Sequence, residues 1–319
     1  MANKTIVAFG EIMLRLTPQN GILNAEGFQA CYGGTESNVL VALSCFGNKT
    51  RYLTKLPDND LGRSAVMHLQ RFGVDCSQIP MDGSNMGMYF FEPGFGTRQA
   101  KVIYVRKQAE VTTLTQDDLD YDRAFADCGL FHISGISFAL SASVQDLCFR
   151  LLQEAKKRNI PVSFDFNYRS KLWSLEQAAA VYRKIIPYAD TVFCSKRDLT
   201  AFLDLTENAF FSAYPNVKHL VAREREVLSD DRHTISATVY TPQGPVATAE
   251  KEVAVLERIG GGDAFAAGFL HGLLHFAGDF ARTLDFATAC FALKHATAGD
   301  VLATRADEIG IGESKDVKR

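Results

Sequence analysis

The chain has 319 residues, of which 47% are hydrophobic and 22% charged, proportions typical of an ordinary globular protein. Its formal net charge of −3 gives no attraction to nucleic acid or to an anionic membrane surface, so we expect neither as a partner. The 7 cysteines include no pair at C-x-x-C spacing, which argues against a zinc ribbon or redox dithiol and predicts reduced thiols in a cytoplasmic protein.

The first segments alternate between strand and helix patterns. The apolar run at residues 5–10 predicts a buried strand, and it is too short to be the apolar region of a secretory signal. Helical spacing over 36–46 and 60–72, each followed by glycine, predicts two helices with a strand at 51–55 between them.

The alternation resumes in the middle of the chain. Three strands are predicted from apolar runs at 130–133, 162–166 and 191–194. Helical patterns follow them at 142–158, at 175–187 and from 196 onward. Such alternation builds a mainly parallel sheet with helices on both faces, so the predicted fold class is α/β. No repeat or linker interrupts the chain, and we expect a single domain over 1–319.

Two stretches lack this alternation. Residues 11–33 are strand-like and turn-rich, and residues 86–107 read as a β-hairpin around the turn PGFGTR. Together they predict a small β-sheet lid over the ligand edge of the main sheet. Because exposed strand edges tend to pair, we expect a homodimer formed through two lids. A strand-rich region follows at 229–256, and the last ten residues are expected to fray.

The segment RIGGGDAFAAGFLHG, at 258–272, places three glycines and Asp263 at the start of a predicted helix. It is neither a Walker A loop nor a dinucleotide-binding fingerprint. Backbone amides at such a glycine-rich helix start can bind an anion, and a carboxylate beside them can take a proton from a hydroxyl group. Helix capping is the alternative explanation for Asp263, although capping does not require three glycines.

His271 and His275 lie one turn apart on the same predicted helix, a spacing that can bind zinc. The helix is apolar and lacks the glutamate of an H-E-x-x-H motif, which favours packed or surface histidines instead. The apolar run at 264–277 contains both histidines and is too short to span a membrane.

Two segments resemble the signatures of the ribokinase-like (PfkB) carbohydrate kinases. YGGTESNVLVALSCFG at 32–47 is similar to the amino-terminal signature, and ERIGGGDAF at 257–265 is similar to the carboxyl-terminal one, usually D-T-x-G-A-G-D-x-F. Within the family, FDFNYRSKLW at 164–173, YVR at 104–106 and KHATAGD at 294–300 resemble the 2-keto-3-deoxygluconate kinases. The resemblance covers nearly the whole chain and implies the ribokinase-like fold.

This resemblance implies that ATP, with Mg²⁺, phosphorylates the 6-hydroxyl of 2-keto-3-deoxygluconate. Asp263 would be the general base, and glycines 260–262 would form an anion hole, with Arg169 contacting substrate and phosphate. Other implied roles are contacts to the sugar acid from Gly34, Asn38, Tyr89, Tyr104, Arg106 and Asp263, contacts to the nucleotide from Asn167, Ser195, Gly260, Gly262 and Asp300, and a water-mediated contact of Asp198 with Mg²⁺.

Arginines at two predicted strand ends agree with an acidic substrate, because arginine binds a carboxylate through two parallel hydrogen bonds. Arg106 and Arg169 each follow a predicted strand, next to a tyrosine. The alternative roles are a solvated Arg106, an ion-paired Arg169, lid-packing tyrosines at 89 and 104, and a helix-starting Asp198. Two other functions stay open: a kinase for fructose, ribose or 5-dehydro-2-deoxygluconate, and a non-catalytic sugar-binding protein.

The chain departs from the family pattern at several positions. Glu257 stands where aspartate is usual, which leaves open whether a monovalent cation binds there. Thr288 stands where an asparagine often meets the adenine, and 222–233 lacks the usual glycine-containing nucleotide loop. The sequence from Ser195 to Asp198 is a shortened form of N-x-x-E. The contacts to the base are therefore the least determined part of the site.

Overall fold

The computed structural model describes residues 4–19, 21–94, 98–229 and 231–310, so the carboxyl-terminal residues expected to fray lie outside it except for Gly310. In chain order the strands are β1 (Thr5–Phe9), β2 (Met13–Pro18), β3 (Phe28–Gly33), β4 (Thr50–Leu53), β5 (Val74–Asp75), β6 (Met88–Glu92), β7 (Lys101–Val105), β8 (Cys128–Ser134), β9 (Val162–Asp165), β10 (Thr191–Phe193), β11 (His219–Ser229), β12 (Arg232–Thr241), β13 (Gly244–Ala247) and β14 (Lys251–Ala254). The α-helices are α1 (Thr35–Cys45), α2 (Asp60–Gln70), α3 (Tyr121–Ala124), α4 (Gly135–Phe138), α5 (Ala142–Lys157), α6 (Leu175–Ile185), α7 (Lys196–Leu203), α8 (Glu207–Ala213), α9 (Gly261–His275) and α10 (Phe280–His295).

The main sheet has the order β13-β12-β11-β10-β9-β8-β1-β4-β5, with β14 also paired to β12. Every neighbouring pair from β5 to β11 is parallel, and the pairs that involve β12 are antiparallel. Parallel strands are buried on both faces and therefore read as continuous apolar runs, as β1 does. The predicted α/β fold class is confirmed.

Helices cover both faces of this sheet, because successive residues of a strand point to opposite sides. Val7 and Phe9 of β1 pack in a core with α5, α6 and α7, whereas Ile6 and Ala8 pack in a second core with α1, α9 and α10. The second core matters for function, since it fixes α1 and α9 beside the sheet. No helix in the described part of the chain is long and apolar enough to cross a membrane.

The loop after β9 is held by an aromatic cluster. Tyr182 of α6 donates its hydroxyl hydrogen to the carbonyl oxygen of Phe166 over 2.6 Å, and the two ring centres are 4.5 Å apart. Trp173, at the far end of the same loop, packs on Tyr182 at 5.6 Å. These contacts fix the backbone from which Asn167 and Arg169 extend.

A separate four-stranded sheet, with the order β3-β2-β6-β7, confirms the predicted small β-sheet and is called the lid sheet here. The β6–β7 hairpin was expected, although three residues of its turn, 95–97, lie outside the described residues. Only residues 10–12 separate β1 from β2, and only Gly34 separates β3 from α1. The lid sheet is therefore attached to the sheet edge at which the carboxyl ends of the parallel strands meet.

The region 222–233 forms regular structure that the sequence pattern did not predict. β11 extends to Ser229 and pairs antiparallel with β12, so this part of the chain is a long β-hairpin. Helices α8 and α10 were also not predicted. Asp279 begins α10 by accepting a hydrogen bond from the Arg282 amide over 2.9 Å, a common start signal for a helix.

Candidate active site

The carboxyl ends of the parallel strands and the lid sheet enclose a cleft of about 1010 Å³, adjoined by a smaller cavity of about 190 Å³. Ligands of open parallel α/β sheets gather at this edge. Among the described residues that line the large cleft, basic side chains outnumber acidic ones: Arg106, Lys107, Arg169, Lys171, Arg223, Arg225 and Arg258 against Glu11, Glu36, Asp263 and Asp300. The cleft therefore favours anionic ligands.

Glycines 260–262 form the turn that begins α9. Gly260 occupies the N-cap position with a left-handed φ of 78°, and a Cβ there would overlap with the carbonyl oxygen of Asp300. A Cβ on Gly261 would lie 2.7 Å from the His295 ring, and one on Gly262 would lie 2.6 Å from Arg223 Nη1. Because Gly260 and Gly262 line the cleft, the unpaired amides of this helix start are accessible to an anion.

Asp263 lies in the first turn of α9, but it does not cap the helix. The N-cap residue is Gly260, and no side chain makes a capping hydrogen bond there, so the capping explanation for Asp263 is wrong. The carboxylate oxygen Oδ2 accepts a hydrogen bond from Asn38 Nδ2 over 2.7 Å, and the residue is 7% exposed. Its carboxylate is thus directed at α1 and the cleft.

Burial raises the pKa of Asp263 to about 7. The hydrogen bond from Asn38 acts against this rise, as do the charges of Arg169 and Arg223, whereas the nearby charge of Asp165 adds to it. A carboxylate with a pKa near 7 is suited to accept a proton at neutral pH.

The amino-terminal signature supplies Asn38, the hydrogen-bond partner of Asp263. The Gly34 amide donates to Asn38 Oδ1 over 3.3 Å, so the Asn38 side chain is oriented with its NH₂ group toward Asp263. A Cβ on Gly34 would overlap with the carbonyl oxygen of Glu11. The structure thus brings together Gly34, Asn38 and Asp263, although Asn38 and Asp263 are 225 positions apart in the sequence.

The loop after β9 brings Asn167 and Arg169 to the boundary between the two cavities. Asn167 has a positive φ of 37°, and its Nδ2 donates to Thr35 Oγ1 over 3.2 Å. Arg169 is exposed and makes no ion pair within the described residues.

Ser195 and Asp198 line the smaller cavity and cap α7 reciprocally. Ser195 Oγ donates to Asp198 Oδ2 over 2.8 Å, and the Asp198 amide donates to Ser195 Oγ over 3.1 Å. The helix-start role of Asp198 is therefore present, and its carboxylate also reaches the cavity that Asp165 lines.

Two lid residues expected to meet the substrate, Tyr104 and Arg106, line the cleft. Arg106 already forms an ion pair with Glu11, a buried residue whose other oxygen, Oε1, has no hydrogen-bond partner in the described structure. Lys171 Nζ donates to the Val102 carbonyl over 2.9 Å and so joins the lid sheet to the loop after β9.

Arg15 is a site residue that the sequence analysis missed. Its guanidinium, 2% exposed, forms ion pairs with Glu257 and with Asp300, the latter over 2.7 Å between Nη1 and Oδ1. The Tyr89 hydroxyl donates to the other oxygen of Asp300, and the Gly299 amide donates to Glu257 Oε2 over 3.2 Å. Tyr89 and Asp300 line the cleft, but the polar groups of both are engaged in this network. The available signal was a single arginine inside the apolar stretch IMLRL.

Arg223 and Arg225 on β11 were missed for a different reason, since the segment was judged only by the glycines it lacks. Both line the cleft, and burial together with the charges of Arg258 and Arg223 lowers the pKa of Arg225. Crowded cations of this kind favour a multiply charged anion.

Of the other positions singled out from the sequence, Thr288 and His271 are buried and His275 is exposed. Thr288 is 1% exposed within α10 and lines neither cavity. His271 and His275 stack at 4.4 Å, and both bind the Asn48 side chain. Within the described ranges no group of three or more His, Cys, Asp or Glu residues could hold a metal ion.

The family model described as "pfkB family carbohydrate kinase" matches residues 3–304. The chain belongs to the PfkB family. A curated relative, 2-dehydro-3-deoxygalactonokinase of Haloferax volcanii, is 36% identical over 95% of each chain. The solved 2-dehydro-3-deoxygluconokinase of Thermotoga maritima is 31% identical, with a TM-score of 0.92 over 96% of this chain and 97% of that one.

A candidate ribokinase II from Escherichia coli, solved with ATP and Mg²⁺, is 19% identical with a TM-score of 0.82 over 96% of this chain and 97% of that one, which shows a shared fold. These matches confirm the family resemblance and establish this PfkB protein as a carbohydrate kinase.

The geometry of the glycine turn in this PfkB kinase can be tested with two alanine substitutions. Gly260 and Gly278 both have positive φ, but a Cβ at Gly278 meets nothing within 4 Å. We expect Gly278→Ala to lower the free energy of unfolding by about 1–2 kcal/mol through backbone strain alone. Gly260→Ala should lower it further, because its Cβ also collides with the Asp300 backbone. Urea unfolding of the two variants measures the difference, and equal losses would contradict the close packing of Gly260 on Asp300.

Proposed function

We propose that this kinase transfers the γ-phosphoryl group of ATP, with Mg²⁺, to the 6-hydroxyl of 2-keto-3-deoxygluconate. The observation that carries the proposal is a buried carboxylate, Asp263, with a pKa near 7 next to a glycine turn at the start of α9, inside a cleft rich in cations. Relatives named for the gluconate and galactonate forms of the substrate support a 2-keto-3-deoxy sugar acid.

In the proposed reaction Asp263 takes the proton from the 6-hydroxyl of the sugar, and the oxygen of that hydroxyl attacks the γ-phosphorus of ATP. A new O–P bond forms, the bond to the β-phosphate oxygen breaks, and ADP leaves. The amides of glycines 260–262 and the guanidinium of Arg169 stabilise the charge on the transferred group. Asn38 keeps the Asp263 carboxylate pointed at the hydroxyl through its 2.7 Å hydrogen bond.

We assign the nucleotide phosphates to the side of the cleft where Asn167, Ser195 and Arg223 lie. Asp165 and Asp198 line the smaller cavity there, and carboxylate oxygens, directly or through water, are the ligands that Mg²⁺ prefers. Mg²⁺ bound with ATP would neutralise part of the negative charge of the phosphates. Asp300 lines the cleft, but its carboxylate pairs with Arg15. In this assignment it supports the nucleotide site without binding the nucleotide itself.

We assign the sugar acid to the space between the lid sheet and α1. Gly34 and Asn38 would contact its hydroxyls, and the rings of Tyr89 and Tyr104 would cover it. Its carboxylate would bind to Arg106 or Arg169, of which Arg169 has no competing ion pair in the described structure.

Substrate class can be tested by ADP release over a panel of 2-keto-3-deoxygluconate, its galacto epimer, 5-dehydro-2-deoxygluconate, fructose and ribose. Arg106→Ala should raise KM for the acid sugars about 10-fold or more, since a charge-assisted hydrogen bond is lost, and change KM for neutral sugars little. Lys101→Ala, which removes a lid cation outside the cleft, is the control. Turnover confined to neutral sugars would contradict an acid substrate, and sugar binding without ADP release would favour the non-catalytic alternative.

The role of Asp263 predicts a pH profile. The base must be ionised, and its pKa is raised to about 7, so kcat/KM of the free enzyme should rise through pH 7 and level off above it. Asp263→Asn should lower kcat by about 10²–10⁴-fold. Asn38→Ala removes a hydrogen bond that lowers this pKa, so its rising limb should move to higher pH. An Asp263→Asn enzyme with near-normal kcat would refute the assignment.

We further propose a cytoplasmic homodimer joined through the lid sheets. The support is a set of free cysteine thiols and an exposed apolar strand, in which Ile103 and Val105 are 49% and 51% exposed. Ile103→Lys should shift the molecular mass in sedimentation equilibrium from dimer to monomer. An unchanged dimer in Ile103→Lys, or a monomeric wild type, would place the interface elsewhere or remove it.

A further inference from the structure

A buried network of charges joins the lid sheet to the turn that begins α9. Its centre is the Arg15 guanidinium, which pairs with Glu257 before the turn and with Asp300 beside it. We propose that Arg15 is a positioning residue that fixes the Gly260 turn against the lid sheet and replaces a bound monovalent cation between these two carboxylates. This inference rests on the proposed role of the turn in phosphate binding.

The charge balance of the network depends on Arg15. Glu257 and Asp300 are 8% and 4% exposed, and removal of Arg15 would leave both buried carboxylates without the cation that they share. Another cation nearby, Lys294, is fully buried and donates to the carbonyl of Thr297 over 2.9 Å. Burial disfavours the charged form of Arg15, but its bonds to Glu257 and Asp300 more than offset this, so its pKa is raised and it stays charged.

The shape of the guanidinium matters as well as its charge. It reaches two carboxylates from different segments of the chain, and the Phe91 ring centre lies 4.4 Å from its central carbon. Arg15 and Tyr89 are register partners on β2 and β6, and they bind the two oxygens of Asp300. Nη1 binds both carboxylates, while Nε donates to Thr17 Oγ1 over 2.9 Å. A lysine at position 15 would keep the charge but would lose the Nε hydrogen bond and the flat contact with Phe91.

The network acts on the glycine turn from two sides. Glu257 lies three residues before Gly260 in the chain, and the backbone of Asp300 packs directly on the Gly260 Cα. Asp300 also packs against Gly33, at the end of β3, where a Cβ would overlap with its carboxylate. Movement of Asp300 after loss of Arg15 would therefore change both the orientation of the Gly260 turn and the position of the lid sheet at Gly33.

The test compares wild type with Arg15→Ala and Arg15→Lys in buffers whose only cations are bulky organic ones and Mg²⁺. The wild type should show the same kcat when K⁺, NH₄⁺ or Na⁺ is added. Arg15→Ala should lose about 10–100-fold in kcat, the size of effect that a small misplacement at a reacting centre produces. Added guanidinium, K⁺ or NH₄⁺ should restore much of the kcat of Arg15→Ala by occupying the space between Glu257 and Asp300. Arg15→Lys should fold and keep an intermediate kcat.

Arg51→Ala is the matched structural control. Arg51 pairs with Asp75 and with three backbone carbonyls away from the cleft, so its loss should lower the melting temperature without a gain of activity from added guanidinium. The inference is overturned if the wild type needs a monovalent cation, if Arg15→Ala keeps its kcat, or if Arg15→Ala loses activity that no added cation restores.

A wrong substrate assignment can be distinguished from a wrong role for Arg15. If the substrate assignment is wrong, the wild type shows no turnover with 2-keto-3-deoxygluconate, and the Arg15 variants are then compared with the wild type on any sugar of the panel that releases ADP. ATP binding measured by calorimetry supplies a readout that needs no sugar. Arg15→Ala should bind ATP more weakly, and guanidinium should restore the affinity; an unchanged affinity would argue against the network's effect on the turn.

Discussion

The hydrogen bond from Asn38 to Asp263 joins helices α1 and α9, and the arrangement of the cleft depends on it. Asp263 follows the glycine turn directly in α9, and the hydrogen bond from Asn38 fixes the orientation of its carboxylate. α1 and α9 pack in one apolar core on the same face of the sheet, so the bond between them is held in a rigid setting. Because the parallel strands end at a common edge, loops that are distant in sequence then converge on this pair.

The four acidic residues of the cleft differ in how their burial is compensated. Glu11 and Asp300 face arginines, and Glu36 accepts hydrogen bonds from the amide and hydroxyl of Ser134 and from the hydroxyl of Ser137. Asp263 has one neutral donor, Asn38. Burial raises the pKa of all four carboxyl groups, and that of Asp263 reaches about 7 although the charges of Arg169 and Arg223 act against the rise. Asp263 differs from the other three in its position in the first turn of α9, directly after the glycine turn, which is why we propose it as the base.

Local patterns were enough to predict β1, α1 and the lid hairpin, because apolar spacing and terminal glycines act within a few residues. The position of Asp263 could be predicted, but its burial could not, since that depends on packing between α1 and α9. Arg15 shows the limit most clearly, because its partner Glu257 lies 242 residues away and nothing near either residue indicates the pairing. Thr288 was identified only as a departure from the family pattern, and its burial within α10 depends on packing that no local pattern indicates.

The pairing of Arg106 with Glu11 changes how substrate selection must work in this cleft. A free arginine would attract a sugar carboxylate directly, but here Glu11 pairs with Arg106, and the other oxygen of Glu11, Oε1, is buried without a hydrogen-bond partner in the described structure. In the proposed function, a sugar carboxylate that binds Arg106 would have to share the guanidinium with Glu11. Arg169 makes no ion pair within the described residues and lies at the boundary of the two cavities, so a carboxylate can bind it without that competition. Under this proposal, preference for a sugar acid would depend on both arginines, and Glu11 would set how strongly Arg106 contributes.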